Sequence, residues 1–255
     1  METLDKPFLG DVTAITMSTP DLDSSFEFYS RLGFRELLRS DFPIPFLQMT
    51  DGALLIMLRK DTASYIALTY YVKDLEEKVS ALKQDGIEFT VHPLPTDMIK
   101  RYVLKTPDGL SVSLVTFVEG FVQPAGPTML HMPQADYFDP SKYVNKSCGM
   151  FGEFAHPVKD LDASIEFWKK LGFKTLSKMT SPYPWAIISD GLAVVGLHQT
   201  THFNYPAITF FAADMPAKIE ALKATGIDSI TETGKGNIVL NSPENQHINL
   251  FKLGF

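Results

Sequence analysis

Ionisable side chains are scarce in the apolar segments of this sequence, and three polar residues stand out there. His247 and Asn249 lie two residues apart in the last apolar segment, and Glu153 lies in another one. Residues two apart on a strand point to the same face. A carboxylate beside an imidazole can transfer a proton or anchor a polar or cationic ligand. The alternative is that His247 is solvated, or paired with Glu153, without any reaction.

Two aromatic residues follow stiff loops. Phe46 comes after Pro43-Ile44-Pro45, and Trp185 comes after Pro182-Tyr183-Pro184. Proline fixes φ and so restricts such a loop. An aromatic ring held in this way suits stacking on a flat ligand, although packing in the core is equally compatible with the pattern.

The remaining histidines and the thiol have plainer interpretations. His156 is expected in the core, and His198 at a solvated strand end. Surface loops are expected to hold His92, His131 and His202. Cys148 is the one cysteine, so the chain has no internal disulfide, and an inert thiol is expected.

These residues are positioned by a unit that occurs four times. The segment PDLDSSFEFYSRLGF begins at Pro20, and related segments begin at Lys73, Lys159 and Ala213. In the first copy Asp21 or Asp23 can cap a helix. Leu22, Phe26, Tyr29 and Leu32 form its apolar face, and Gly33 ends it.

Strand patterns flank each predicted helix, so the unit reads β-α-β-β-β. Asp51-Gly52 is typical of a hairpin turn between two such strands. The two halves of the chain match at a nearly constant offset, with Asp51-Gly52 corresponding to Asp190-Gly191. We predict domains at 8–120 and 148–255. The proline-rich segment 121–147 is the predicted connector, too apolar to be a disordered linker.

The motif Asp-Leu-Asp-x-Ser with a later Leu-Gly-Phe, followed by Pro107-Asp108-Gly109 before a final strand, resembles the vicinal oxygen chelate superfamily. That superfamily includes glyoxalase I, bleomycin-resistance proteins, fosfomycin-resistance proteins and extradiol dioxygenases. The resemblance implies an α+β fold in which four βαβββ modules form two cup-shaped domains. One chain would then be a pseudo-dimer, which is compatible with a monomer.

Enzymes of this superfamily hold a divalent metal with side chains that line a cup. Carried onto this sequence, the resemblance puts the ligand positions at Ala14, Ala67, Ser113, Glu153, Ala207 and Asn249. Most of these residue types are not metal ligands, so we expect no metal and no other cofactor. Combined with the alternation of side chains along a strand, the resemblance implies that only small uncharged residues line the first cup, among them Thr16 and Thr69. The second would show Glu153, Thr209, His247 and Asn249.

Composition excludes some functions. The net charge of −7 and the absence of a basic cluster argue against nucleic acid. No signal-like N-terminus or membrane-length apolar run occurs, so a cytoplasmic protein without a membrane partner is expected.

Three functions fit these observations. The first is metal-independent binding of a small molecule in a cup, with Glu153 and His247 as the central polar groups and Asn249, Trp185, Thr209 and Phe46 as further ligand contacts. The second is a lyase, isomerase or dioxygenase-type enzyme with a rewired site, in which Glu153 and His247 act as acid and base. The third is a structural or regulatory protein with vestigial cups.

Overall fold

The first half of the chain forms one mixed eight-stranded sheet with two helices. The computed structural model describes residues 8–234 and 236–254. The elements of the first half are β1 (Val12–Thr19), α1 (Leu22–Arg31), β2 (Arg35–Ser40), β3 (Phe46–Thr50), β4 (Leu55–Lys60), β5 (Ile66–Val72), α2 (Leu75–Gln84), β6 (Phe89–Val91), β7 (Arg101–Lys105) and β8 (Ser111–Thr116). The strand order is β2-β3-β4-β1-β5-β8-β7-β6.

The second half repeats this architecture. Its elements are β9 (Met150–Pro157), α3 (Leu161–Lys170), β10 (Lys174–Met179), β11 (Trp185–Ser189), β12 (Val194–His198), β13 (Ala207–Ala212), α4 (Met215–Ala224), β14 (Ile230–Gly234), β15 (Asn237–Asn241) and β16 (His247–Lys252). The strand order is β10-β11-β12-β9-β13-β16-β15-β14. The predicted α+β fold of four βαβββ modules is confirmed.

The first helix begins and ends where the sequence predicts, but its buried stripe differs. The Asp21 carboxylate accepts from the backbone N–H groups of Asp23 and Ser24, both at 2.9 Å. Gly33 follows the helix at a φ of +88°, a conformation that glycine adopts without strain. Phe28 is buried where Phe26 was expected, and Ser25 faces inward as well. The inward hydroxyl matters for the site described below.

Polar and apolar rows alternate across the central strands of the second half. β13 and β16 are parallel, with Ile208 opposite Ile248 and Thr209 opposite Asn249. Since successive side chains point to opposite faces, the apolar pair and the polar pair lie on different faces of the sheet. Helix α4 packs against β15 and β16, while α2 packs against β8.

Two compact units divide the chain differently from the two sheets. One contains residues 8–15 with Ile66–Gln123 and Ala155–Tyr205. In this unit the Tyr70 hydroxyl donates to Asp190 at 2.7 Å. The other contains Thr16–Tyr65, Pro124–Phe154 and the described residues of 206–254. The domain limits 8–120, 121–147 and 148–255 stay a prediction.

The connector is ordered by side-chain contacts within the second of these units. The amide of Asn145 donates to the Leu32 carbonyl at 3.0 Å and to the Asp51 carboxylate at 3.1 Å. Met132 and Tyr143 are buried, which agrees with the apolar character predicted for this segment. Among the helices in the described ranges, none has the length and apolar character needed to cross a membrane.

Candidate functional site

The strands that carry the predicted polar residues are consecutive in the sheet of the second half. β9 carries Glu153, its neighbour β13 carries Thr209, and the next strand, β16, carries His247 and Asn249. The sheet thereby places the four residues on three adjoining strands of one half.

The best-defined contact of the site joins Thr209 and Asn249. The Asn249 side-chain amide donates to the Thr209 hydroxyl at 3.1 Å. Both residues are buried: 0% of the surface of Thr209 is exposed, and 8% of that of Asn249. A buried hydrogen bond of this kind fixes the orientation of the asparagine amide, because breaking it would leave a polar group unsatisfied.

His247 lies two residues before Asn249 and opposite Ala207. The imidazole of His247 is half-buried. Burial lowers the pKa of His247 below its usual value, because an apolar environment disfavours the charged ring. At neutral pH this imidazole is therefore a neutral group that can accept a proton.

Glu153 is buried on β9, with 6% of its surface exposed. The contact between Glu153 and His247 that the sequence suggests stays a prediction. The burial of Glu153 is nonetheless informative, because a carboxylate is rarely this deeply buried unless it is paired or serves a function.

The turn before β16 is held by a helix from the first half of the chain, within one compact unit. The Glu244 carboxylate accepts from the Ser25 hydroxyl at 2.8 Å and from the Tyr29 hydroxyl at 2.6 Å. Burial, and then the nearby carboxylate, raise the pKa of Tyr29 well above its usual value, so the hydroxyl stays a donor. This turn immediately precedes His247. Sequence reasoning missed the contact, although the serine and the acidic turn residue recur in both halves.

The other compact unit contains the matching contact. The Ser164 hydroxyl of α3 donates to the Asp108 carboxylate at 2.5 Å. Asp108 also accepts from the backbone N–H of Lys159 at 2.8 Å. The first helix of each half, α1 or α3, therefore binds the acidic residue of a turn that leads into a polar strand.

Phe46 and Trp185 occupy matching positions at the start of β3 and β11. Phe46 lies opposite Arg59, and Trp185 lies opposite His198. The Trp185 indole is nearly parallel to the His198 ring, with 6.4 Å between their centroids, and it donates to the Ser181 carbonyl at 3.1 Å. Both aromatic residues are half-buried. Their predicted role in stacking on a ligand stays a prediction.

His198 differs from the expected solvated strand end. The Tyr183 hydroxyl lies 3.3 Å from its Nδ1, and Phe203 packs edge-on against its ring at 5.6 Å. His202 contacts the Tyr183 ring as well, at 5.9 Å. Tyr183 and Phe203 therefore place both imidazoles in ring contacts.

The first half has only small neutral residues at the matching strand positions. Ala67 lies opposite Ser111, and Thr69 lies opposite Ser113. The described residues include no group of three or more His, Cys, Asp or Glu side chains arranged to hold a metal ion. Together with alanine, serine and asparagine at the family's ligand positions, this donor set does not fit the family's metal.

Cys148 and His156 are both buried, and a core position was predicted for His156. Burial raises the pKa of the Cys148 thiol far above its usual range, and this disfavours the reactive thiolate. Burial also lowers the pKa of His156 to about 4. Neither group has the accessibility expected of a catalytic residue.

The comparison with known proteins agrees with the fold. Residues 12–114 match the family described as Glyoxalase/Bleomycin resistance protein/Dioxygenase superfamily. The second half repeats the fold of the first, which agrees with the two-domain arrangement that the resemblance implies. No curated protein shows significant sequence similarity to the chain.

Solved structures with this arrangement include three dioxygenases. Homoprotocatechuate 2,3-dioxygenase from Arthrobacter globiformis is 13% identical, with a TM-score of 0.64 over 99% of this chain and 82% of that one. The 2,3-dioxygenase LapB from Pseudomonas sp. KL28 is 15% identical, with a TM-score of 0.58 over 95% and 91%. A catechol 2,3-dioxygenase is 14% identical, with a TM-score of 0.56 over 94% and 90%. Similarity at this level shows the fold alone.

Proposed function

We propose that the protein binds a small polar or cationic molecule without a metal, at the site of Glu153, Thr209, His247 and Asn249 in its second half. The observation that carries the proposal is the buried Asn249–Thr209 hydrogen bond beside a half-buried imidazole. The bond holds the Asn249 amide in one orientation before any ligand arrives, and such preorganisation reduces the entropy lost on binding.

Each residue has a distinct part in this proposal. The neutral imidazole of His247 can accept from a ligand hydroxyl or amine. The carboxylate of Glu153 supplies negative charge for a cation. Asn249 is oriented by Thr209 and supplies the remaining hydrogen-bonding group. Phe46 and Trp185 are proposed to stack on a ligand, each within its own half.

The first half supplies the control for a binding experiment, because it has Ala14, Ser111 and Ser113 where the second half has Glu153, His247 and Asn249. The changes Glu153→Ala, His247→Ser and Asn249→Ser therefore install residues that the same fold already accommodates. Calorimetry would be run on chelator-treated protein, with choline as the cationic probe and myo-inositol as the neutral one.

We expect binding to survive chelation and to weaken about tenfold or more in each variant, a change of about 1.4 kcal/mol. Thermal unfolding in the presence of each probe gives a second readout, because a ligand of the native state raises the apparent stability. Binding that a change at Thr16 or Ser113 abolishes, while the three variants retain it, would place the site in the first half instead.

A rewired enzyme is the second candidate, and the lowered pKa of His247 favours it. In this candidate function, the neutral imidazole of His247 and the buried carboxylate of Glu153 move a proton to or from a bound substrate at neutral pH. Exchange of substrate C–H protons in deuterium oxide, followed by NMR, would detect such a step. A reaction lost in both His247→Ser and Glu153→Ala supports catalysis, whereas binding without exchange supports a binding protein.

The dioxygenase activity named for the similar structures is less well supported here. Three alanines, a serine and an asparagine occupy five of the six positions where the family places ligands, with Glu153 at the sixth, and these five residues do not bind a transition metal well. A third candidate, a structural or regulatory role, predicts that no probe binds in either half.

A further inference from the structure

Edge strand β2 presents an unusual surface to solvent. It ends the sheet of the first half, and in the described part of the chain it has one strand neighbour, β3. Its residues from Arg35 to Arg39 are all exposed, and Leu37 and Leu38 have 42% and 41% of their surface accessible. An exposed edge that carries large apolar side chains can pair with another strand.

The sequence of β2 is complementary to itself in an antiparallel register. When a two-fold axis passes through the facing Leu38 residues, Glu36 of one copy lies opposite Arg39 of the other, because Leu37 is the extra residue of an irregularity in this strand. Leu38 then lies opposite the Leu38 of the second copy, and Arg35 lies opposite Ser40. Each opposite-charge or apolar cross-strand pair contributes about 0.2–1 kcal/mol, and the two-fold axis produces the charged pair twice.

The contacts within one copy keep the charges in place for this pairing. Glu36 lies opposite Met49 of β3, and Arg39 lies opposite Leu47. Because Met49 and Leu47 are two residues apart in β3, Glu36 and Arg39 lie on the same face of the sheet. Arg39 donates to Glu36 at 3.2 Å and to Asp23 at 2.6 Å. A register irregularity between Glu36 and Leu38 leaves Leu37 as an extra residue, and this extra side chain is one of the two exposed leucines.

The other edge strands lack this complementarity. β10 is the counterpart of β2 in the second half, but the same register would place Thr175 opposite Lys178 and Ser177 opposite its own copy, with Leu176 as the extra residue. β14 would place Glu232 opposite itself, and like charges directly opposite are destabilising. β6 has only three residues. Charge complementarity with a second copy is therefore a property of β2 alone among these four edges.

We propose that β2 is a homodimerisation edge, at which a second copy of this chain pairs antiparallel to Arg35–Ser40. Phe42, which is 67% exposed just beyond the strand, extends the apolar surface that such a partner would cover. Because one pair of short strands buries less than the roughly 1,200 Å² of a standard interface, the dimer is weak and forms at high protein concentration.

Charge reversal tests the pairing directly. Glu36→Arg gives a chain with arginine at both positions, and Arg39→Glu gives a chain with glutamate at both. Each variant repels its own copies, so sedimentation equilibrium should show self-association weakened at least tenfold. A one-to-one mixture of the two restores both opposite-charge pairs, so a heterodimer should form. The double variant Glu36→Arg/Arg39→Glu should dimerise like the wild type.

Lys178→Glu in β10 is the matched control and should leave association unchanged. Circular dichroism of each variant verifies that the chain is folded. A wild type that stays monomeric up to about 0.5 mM, well above the micromolar range of weak complexes, overturns the proposal. Single variants that associate as strongly as the wild type, or a mixture of folded variants without heterodimer, overturn it too.

Discussion

The Tyr29 hydroxyl lies 2.6 Å from a carboxylate oxygen of Glu244 and donates a hydrogen bond to it. Both groups are buried, and the contact joins the first helix of the chain to the turn that leads into its last strand. Because His247 and Asn249 follow this turn directly, a residue far from the candidate site in sequence supports the strand that carries half of it.

Removal of this hydroxyl should destabilise the protein. Tyr29→Phe leaves the buried Glu244 carboxylate with one fewer donor, and we expect a loss of about 1–3 kcal/mol in the free energy of unfolding. Urea denaturation followed by circular dichroism measures it. Tyr102→Phe is the control, because its hydroxyl donates to Glu76, a carboxylate with 55% exposure. Equal losses in both variants would contradict the role assigned to Tyr29.

Thr69 and Thr209 occupy matching positions in the two halves, and replacement by the isosteric valine should affect the stability of the protein differently at each. The Thr69 hydroxyl is buried and has no hydrogen-bond partner among the described residues, whereas the Thr209 hydroxyl accepts from Asn249. Thr69→Val should be neutral or stabilising. Thr209→Val leaves a buried amide without its acceptor and should cost about 1–3 kcal/mol. Denaturant midpoints measure the stability of the two variants. A larger loss of stability in Thr69→Val than in Thr209→Val would contradict this prediction.

Acid should destabilise the fold through His156. Burial lowers the pKa of this residue to about 4 from its ordinary 6.5. Between these values the unfolded chain binds a proton that the folded protein does not, so stability falls as pH drops from about 6.5 to about 4. The full effect is on the order of 3 kcal/mol, because each tenfold difference in proton affinity between the folded and unfolded chain corresponds to about 1.4 kcal/mol.

The duplicate supplies the test, because Met17 stands where the second half has His156. Thermal unfolding of His156→Met should show a shallower loss of stability over this pH range than the wild type. His92→Met, at a more exposed imidazole, is the control for the loss of a histidine. An unchanged slope for His156→Met would show that another group titrates there.

Cys148 should react only in the unfolded chain. Its thiol is fully buried and donates to the Leu32 carbonyl at 3.4 Å, and its raised pKa suppresses the thiolate. The rate of modification by a thiol-specific disulfide reagent should therefore follow the denaturation curve. Rapid labelling of the native protein, with its circular dichroism intact, is the result that would exclude a buried, inert Cys148.

The sequence was sufficient to predict most of the architecture. The repeated Asp-Leu and Leu-Gly-Phe pattern gave four helices, and Asp51-Gly52 and Asp190-Gly191 gave matching hairpins, because helix caps and tight turns depend on local residue types. The hairpin turn predicted at Asp51-Gly52 is followed by a strand that runs from Leu55 to Lys60. Phe26 was placed in the buried stripe, but Phe28 occupies it, since the final packing of a helix depends on what covers it.

By itself the sequence determined the module repeat, the fold class and the small number of metal-ligating residue types at the family's ligand positions. All three follow from residue type and local spacing. The tertiary structure alone decided which distant residues meet. It paired Tyr29 and Ser25 with Glu244, bonded Asn249 to Thr209, and surrounded His198 with aromatic rings. Hydrogen bonds and ring contacts between distant segments depend on strand order and helix docking, and no local pattern in the chain specifies those.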